Sequence, residues 1–175
     1  KRAGTLQGPV VGTVMSNLGL EQKPRAEGVE FLRAKVGDRY VLAMLKEHGG
    51  VRGGETSGHL LCLDRTTTGD GLISALEVLA VMKRTGRPLA ELVAGMPKFP
   101  QVMINVRVRE RIDPSQSQVI QDAVRRVEKV LGSTGRVVLR ASGTEPVIRV
   151  MIEAEDEAVA SRYASELAEV VRTAI

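Results

Sequence analysis

Between residues 10 and 95, short apolar runs alternate with segments carrying helix start and stop signals, and this alternation restricts the fold more than any other feature. Val10-Val11-Gly12-Thr13-Val14-Met15 reads as a buried strand, and residues 29–36 read as a second one with β-branched and aromatic content. Ser16 to Glu27 lie between them with helical spacing. Pro24 should break or kink that helix, because its ring removes a donor and crowds the preceding turn. Asp38 is expected to cap a helix that runs to about His48 and ends at Gly49-Gly50. The Gly53–Gly58 stretch reads as a loop, and His59 to Leu63 as a strand. Asp70 should cap a helix over 71–85 with Leu72, Ala75, Leu76 and Leu79 on one face, and Pro88 opens a short helix to Gly95. The pattern predicts an α/β domain with a parallel or mixed sheet over residues 1–98.

The character changes at Met96-Pro97-Lys98-Phe99-Pro100, where two prolines three residues apart make a hinge. Beyond it, strands are expected at 102–108, 136–140 and 147–153, and amphipathic helices at 115–131 and 156–174. Those elements predict a smaller α+β C-terminal domain over residues 99–175. The chain opens on Lys1-Arg2-Ala3-Gly4-Thr5-Leu6, which reads as the last turn of a helix, so the chain is expected to be a C-terminal fragment.

Composition narrows the function classes. Hydrophobic residues make up 43% and charged residues 26%, as in an ordinary globular protein. No apolar run approaches the roughly 20 residues of a membrane span and no secretory pattern opens the chain, so a cytoplasmic protein without a membrane partner is expected. The single cysteine, Cys62 in HLLCLD, reads as a buried and inert thiol. The net charge of +4 falls entirely in residues 1–98, while residues 99–175 are neutral. No basic block exists, and the aromatics are two Phe and two Tyr only. Neither the clustered phosphate contacts nor the stacking rings of a nucleic-acid binder are present, so no nucleic-acid partner is expected.

Three loops carry candidate chemistry. In Arg140-Ala141-Ser142-Gly143-Thr144-Glu145-Pro146, strand alternation turns Val137 and Leu139 to one face and Arg140 to the other. Ser142 and Thr144 offer hydroxyls, Gly143 admits close backbone approach, and arginine offers planar, bidentate donors suited to phosphate. The loop reads equally as a phosphate cradle or as a glycine turn whose arginine pairs with Glu145. In Arg52-Gly53-Gly54-Glu55-Thr56-Ser57-Gly58-His59, a carboxylate, hydroxyls and an imidazole sit among three glycines. That set suits vicinal sugar hydroxyls, and suits a solvated connection as well. In Asp64-Arg65-Thr66-Thr67-Thr68-Gly69-Asp70-Gly71, helix capping by Asp70 explains the stretch, and a cleft lining is the other reading.

The segments GGETSGH, DRTTTGDG and RASGTEPVIRVMIE, with VGTVMSNLGLE and RAKVGDRYV, together resemble the α-D-phosphohexomutase superfamily. Within it, they are similar to the bacterial phosphoglucosamine mutases, in the same order and over essentially the whole chain. The resemblance implies a four-domain isomerase that interconverts glucosamine 6-phosphate and glucosamine 1-phosphate, a step toward cell-wall precursors. A phosphoserine on the first domain donates its phosphoryl group, a magnesium ion sits on an aspartate-rich loop of the second, and glucosamine 1,6-bisphosphate is the intermediate. By this resemblance, residues 1–98 are most of the third, sugar-binding domain, and Glu55 and Ser57 hold sugar hydroxyls, with His59 as an auxiliary group. Residues 99–175 are the fourth domain, of a TATA-box-binding-protein-like fold, with Arg140, Ser142, Gly143, Thr144 and Arg149 binding the phosphate that is not reacting. Gln22-Lys23-Pro24-Arg25 departs from the regular helix of relatives. No serine in an ASHNP-like setting and no DGDGDR-type loop occurs in the 175 residues. The chain alone is therefore expected to be inactive, with magnesium bound elsewhere and a homodimer as the full-length assembly. The alternatives are a free-standing phosphosugar-binding or regulatory module, or a phosphohexomutase acting on glucose or mannose phosphates.

Overall fold

Four strands, Val10–Thr13 (β1), Phe31–Ala34 (β2), Arg52–Gly54 (β3) and Leu60–Cys62 (β4), form a sheet in the order β2-β1-β3-β4. The computed structural model describes Gly4 and residues 6–109, 113–143 and 145–175. It divides into two units, Lys1–Lys98 and Phe99–Ile175. In the first, β2, β1 and β3 run parallel and β4 pairs antiparallel with β3, which is the mixed sheet that the alternation predicts. Helix α1 (Leu18–Ala26) joins β1 to β2, and α2 (Asp38–His48) joins β2 to β3. Helices α3 (Gly71–Thr85) and α4 (Leu89–Val93) follow β4.

The core of this unit is Val11, Ala34, Val41, Leu45 and Leu61, all buried. Its packing makes one glycine obligatory. A β-carbon on Gly53 would stand 2.7 Å from Val41 Cγ1 and 2.8 Å from the Val11 carbonyl, so β3 approaches α2 only because it carries no side chain there. The sequence reading placed Gly53 in a loop. Its backbone instead pairs with Val11 on one side and Leu61 on the other, and the turn is confined to residues 55–59.

Pro24 does not interrupt α1. The helix runs through it to Ala26, and the departure at residues 22–25 leaves the helix intact. Proline stands near the C-terminal end, where it forfeits a single intrahelical bond, and its own carbonyl accepts from the Glu27 and Val29 amides at 3.0 and 2.9 Å. Glu21 adds two ion pairs, to Arg25 at 2.8 Å and to Arg33 on β2 at 2.6 Å. Arg33 also donates to the carbonyls of Thr13 and Ser16, which binds the end of β1 to the start of α1. Asp38 is likewise not the cap of α2. Gly37, at φ 127°, occupies that position and Asp38 is the first helical residue, while Gly49 closes the helix in the left-handed conformation as expected.

Asp70 caps α3 as predicted, accepting from Leu72 and Ile73 amides at 2.8 and 3.0 Å. The apolar stripe of that helix is turned outward: Leu72, Leu76 and Leu79 are 78, 62 and 56% exposed. The side that packs on β4 carries Glu77, which pairs with Arg52 on β3 and with Arg65 beyond β4. The same half-buried side carries Ile73, Val78, Val81 and Met82.

The second unit has three antiparallel strands, Gln101–Arg107 (β5), Gly135–Ala141 (β6) and Val147–Ala154 (β7), in the order β5-β7-β6. Helices α5 (Gln118–Leu131) and α6 (Glu157–Ala174) pack on one face. Their buried residues recur at helical spacing, Ile120, Ala123, Val127 and Leu131 on α5, and Ala160, Ala164, Leu167, Ala168 and Val171 on α6. The alanines let α6 lie close to Ile148, Val150 and Ile152 of the central strand β7. Each buried Ile or Val there contributes about 1.5–3 kcal/mol. This is the smaller α+β unit read from the sequence.

Candidate functional site

Directly opposed residues in antiparallel strands share a face. The face of the second sheet away from α5 and α6 therefore carries three rows that cross all three strands, beyond which Arg107 faces Val147. Gln101, Glu153 and Arg136 form one, Met103, Met151 and Val138 the next, and Asn105, Arg149 and Arg140 the third.

The first row is closed on itself. Glu153 is fully buried, accepts from Gln101 Nε2 at 2.5 Å and pairs with Arg136 Nε. The third row contains two guanidinium groups side by side and no carboxylate. The Nε atoms of Arg140 and Arg149 are both buried without a hydrogen-bond partner. Burial, then the neighbouring Arg149 charge, lowers the pKa of Arg140. Among the described residues, the carboxylate in ion-pair reach of Arg149 is Glu145, whose Oε2 lies 4.0 Å away, the limit of an ion pair. The alternative read from the sequence, an arginine of this loop paired with Glu145, is met by this long contact from Arg149.

Around the end of this row lies the 141–146 turn. Ser142 is 6% exposed, its amide donates to the Val147 carbonyl at 2.8 Å, and its hydroxyl accepts from the Glu145 amide at 3.4 Å. Gly143 has an ordinary backbone conformation, and a β-carbon there would meet nothing within 4 Å. Neither strain nor crowding in the described residues requires glycine at this point. Thr144 lies outside the described residues. A cavity of about 420 Å³ also borders Arg140, with Asp113 and Glu128 in its walls. Those carboxylates make it unsuited to an anion.

In the first unit, the β3–β4 turn gathers Glu55, Ser57 and His59. The Glu55 amide donates to the His59 carbonyl at 3.0 Å, and Gly58 at φ 95° closes the turn. Glu55 Oε1 accepts from the Gly37 amide at 2.7 Å, so the carboxylate caps α2 across space and is largely buried. Its other oxygen lies 3.7 Å from His59 Nδ1, which is also 3.2 Å from Ser57 Oγ. The imidazole is 64% exposed, with Nδ1 turned inward to the turn. Sequence reasoning missed Gly37, whose only signal was a glycine one residue before the assumed cap.

The turn is braced from behind. Arg52 binds Asp64 through both guanidinium nitrogens and reaches Glu77 at 3.4 Å, and its hydrogen bond holds the Asp64 carboxyl below the usual range. Cys62 beside it is a free, buried thiol whose pKa burial pushes up, in keeping with an inert group. A cavity of about 280 Å³ beneath the turn has mostly apolar walls, Val10, Phe31, Leu60 and Cys62 among them, with Arg52, Glu55 and Thr56 also at its border. Among the described residues no group of three or more His, Cys, Asp or Glu could hold a metal ion. Among the described residues no helix is long and apolar enough to cross a membrane.

Residues 1–99 match the family described as phosphoglucomutase/phosphomannomutase, alpha/beta/alpha domain III, and residues 103–170 match the C-terminal domain of the same family. Phosphoglucosamine mutases of Alkalilimnicola ehrlichii and Methylococcus capsulatus are 57 and 55% identical over 171 residues. Each alignment covers 98% of this chain and 38% of the relative, so the chain spans well under half the length of the curated relatives it matches. Among solved structures, Aspergillus fumigatus N-acetylphosphoglucosamine mutase in complex with GlcNAc-6P and magnesium is 20% identical with a TM-score of 0.80. That likeness covers 97% of this chain and 42% of the fungal one. With both of its units matched in order, the chain belongs to the phosphoglucomutase/phosphomannomutase family.

Proposed function

We propose that this chain is the substrate-gripping half of a phosphoglucosamine mutase, the sugar held at Glu55, Ser57 and His59 and the non-reacting phosphate at Arg140, Ser142, Gly143, Thr144 and Arg149. The observation that carries the reading is the third row of the second sheet. Two guanidinium groups with orphaned Nε donors are kept side by side, and the only counter-charge in reach among the described residues is Glu145, 4.0 Å from Arg149. A fold holds such a pair at a cost, and a dianion removes it by accepting from both forks.

The division of labour follows from the reaction. A sugar phosphate that must react at either end binds in two orientations, so the constant contacts are one phosphate clamp and hydroxyls common to both. Binding energy from that remote phosphate aligns the reacting end. Glu55 is suited to the hydroxyls because Gly37 fixes the carboxylate without saturating it. His59 presents Nε2 outward at the same turn, where it hydrogen-bonds the substrate.

The described residues do not fit a magnesium cage, since Asp70 is spent on capping α3. The metal, the phosphoserine and the glucosamine 1,6-bisphosphate turnover are assigned to the remainder of the full-length enzyme, which we take as a cytoplasmic homodimer. By itself this chain binds and does not convert.

Glu55→Gln tests the reading in the full-length protein. The amide oxygen still accepts from Gly37, so the fold is kept, while a charged acceptor is lost at about 1.5–3 kcal/mol. The expected result is a fall in kcat/KM for glucosamine 6-phosphate of roughly ten- to a hundredfold. An unchanged kcat/KM would reduce the turn to a structural connection.

A further inference from the structure

The two polar rows of the second sheet differ in one respect that assigns a further residue. Both place an amide on β5, a charged group on the central strand β7 and an arginine on β6: Gln101, Glu153 and Arg136 in one, Asn105, Arg149 and Arg140 in the other. In the closed row the amide and the guanidinium both donate to a carboxylate between them. In the open row the position of that carboxylate is taken by a second guanidinium, and the row has donors and no anion. Asn105 is exposed, and no hydrogen bond to its side chain is found among the described residues. Strands stand about 4.8 Å apart, so an anion over Arg149 has Arg140 on one side and Asn105 on the other, each at one strand spacing.

Resting on the phosphate-site reading above, we infer that Asn105 is a third arm of that site, its Nδ2 donating to the bound phosphate as Gln101 Nε2 donates to Glu153. The group at this place must also be neutral. A carboxylate there would complete the open row internally, pair with Arg149 and exclude the ligand by charge. The ligand class is a phosphate monoester or inorganic phosphate, since three convergent donors of this geometry match its oxygens.

Asn105→Asp separates this role from a structural one. Inorganic phosphate is titrated into the chain and into Asn105→Asp, Asn105→Ala and Arg140→Lys, with thermal unfolding of each. The expected result for Asn105→Asp is a phosphate dissociation constant raised at least tenfold with an unfolding midpoint that holds or rises, because the new carboxylate neutralises the row. Asn105→Ala removes one donor without adding charge, and should weaken binding about three- to tenfold. Phosphate binding by Asn105→Asp equal to the parent, while Arg140→Lys is impaired, would overturn the assignment and leave the arginine site standing. Absence of phosphate binding in the parent chain would overturn the site reading and this assignment together. Should Asn105→Asp fail to fold, parental affinity in Asn105→Ala overturns the assignment on its own.

Discussion

Arg140→Ala in the full-length protein is expected to lower kcat/KM for a phosphosugar by about two orders of magnitude and to leave the fold as stable as before, or more so. The two halves of this result have one cause. Arg140 stands directly opposite Arg149 with its Nε buried and unpartnered, and no carboxylate lies within ion-pair distance of it among the described residues. The unliganded fold gains nothing from that charge, and removing it relieves a like-charge contact. The phosphate complex loses a two-pronged, charge-assisted contact worth about 3 kcal/mol, within the range for truncating one partner of a buried charge pair. Steady-state kinetics and thermal unfolding of the same preparation check both halves. Kinetics at the parental level, or a large loss of stability, would identify Arg140 as a structural residue.

The largest expected loss of stability comes from the neighbouring closed row. Glu153→Ala should destabilise the second unit by about 3–5 kcal/mol, because it strips the shared acceptor from Arg136 and Gln101 in a buried setting. That is a substantial part of the roughly 5–15 kcal/mol that holds a domain. Glu153→Gln keeps one acceptor oxygen and turns an NH2 group toward the other donor, so it should lie between the parent and Glu153→Ala. Urea unfolding followed by circular dichroism measures both. A loss below about 1 kcal/mol in Glu153→Ala would show that water reaches the row and that it is no template for the open one.

The strands and helices were legible where a local signal decides them. Asp70, Gly49 and the period of α5 and α6 act within a few residues, and each gave the element that forms. Three readings went astray where contacts distant in sequence decide. Pro24 is held in a helix partly by Arg33 on the next strand, through Glu21. The cap amide of α2, on Gly37, donates to Glu55, 18 residues away, while Asp38 accepts only from the next amide, on Arg39, so a local search settled on Asp38. Gly53 is drawn out of the loop and into β3 by pairing with Val11, 42 positions away.

The candidate site divides in the same way. Its residues stand out in two loops, because hydroxyls, glycines and arginines in a short run are visible without a fold. What the row does with them was not legible. That Arg140 faces Arg149, that both lack a partner, and that Asn105 stands beside them follow from strand register. Arg140 meets Arg149 across the β6–β7 hairpin, whereas Asn105 joins them only through β5–β7 pairing with a residue 44 positions away.

The central claim is that these 175 residues hold a phosphosugar and do not transform it. The most direct measurement adds glucosamine 6-phosphate and magnesium to the chain and follows phosphorus and backbone amide resonances in one sample. The account predicts amide shifts clustered at residues 140–149, with weaker ones at 55–59. They should saturate in the millimolar range, about −4 kcal/mol, and no glucosamine 1-phosphate should form however long the sample stands. Accumulation of glucosamine 1-phosphate, or shifts scattered over the surface and absent from residues 140–149, would contradict it.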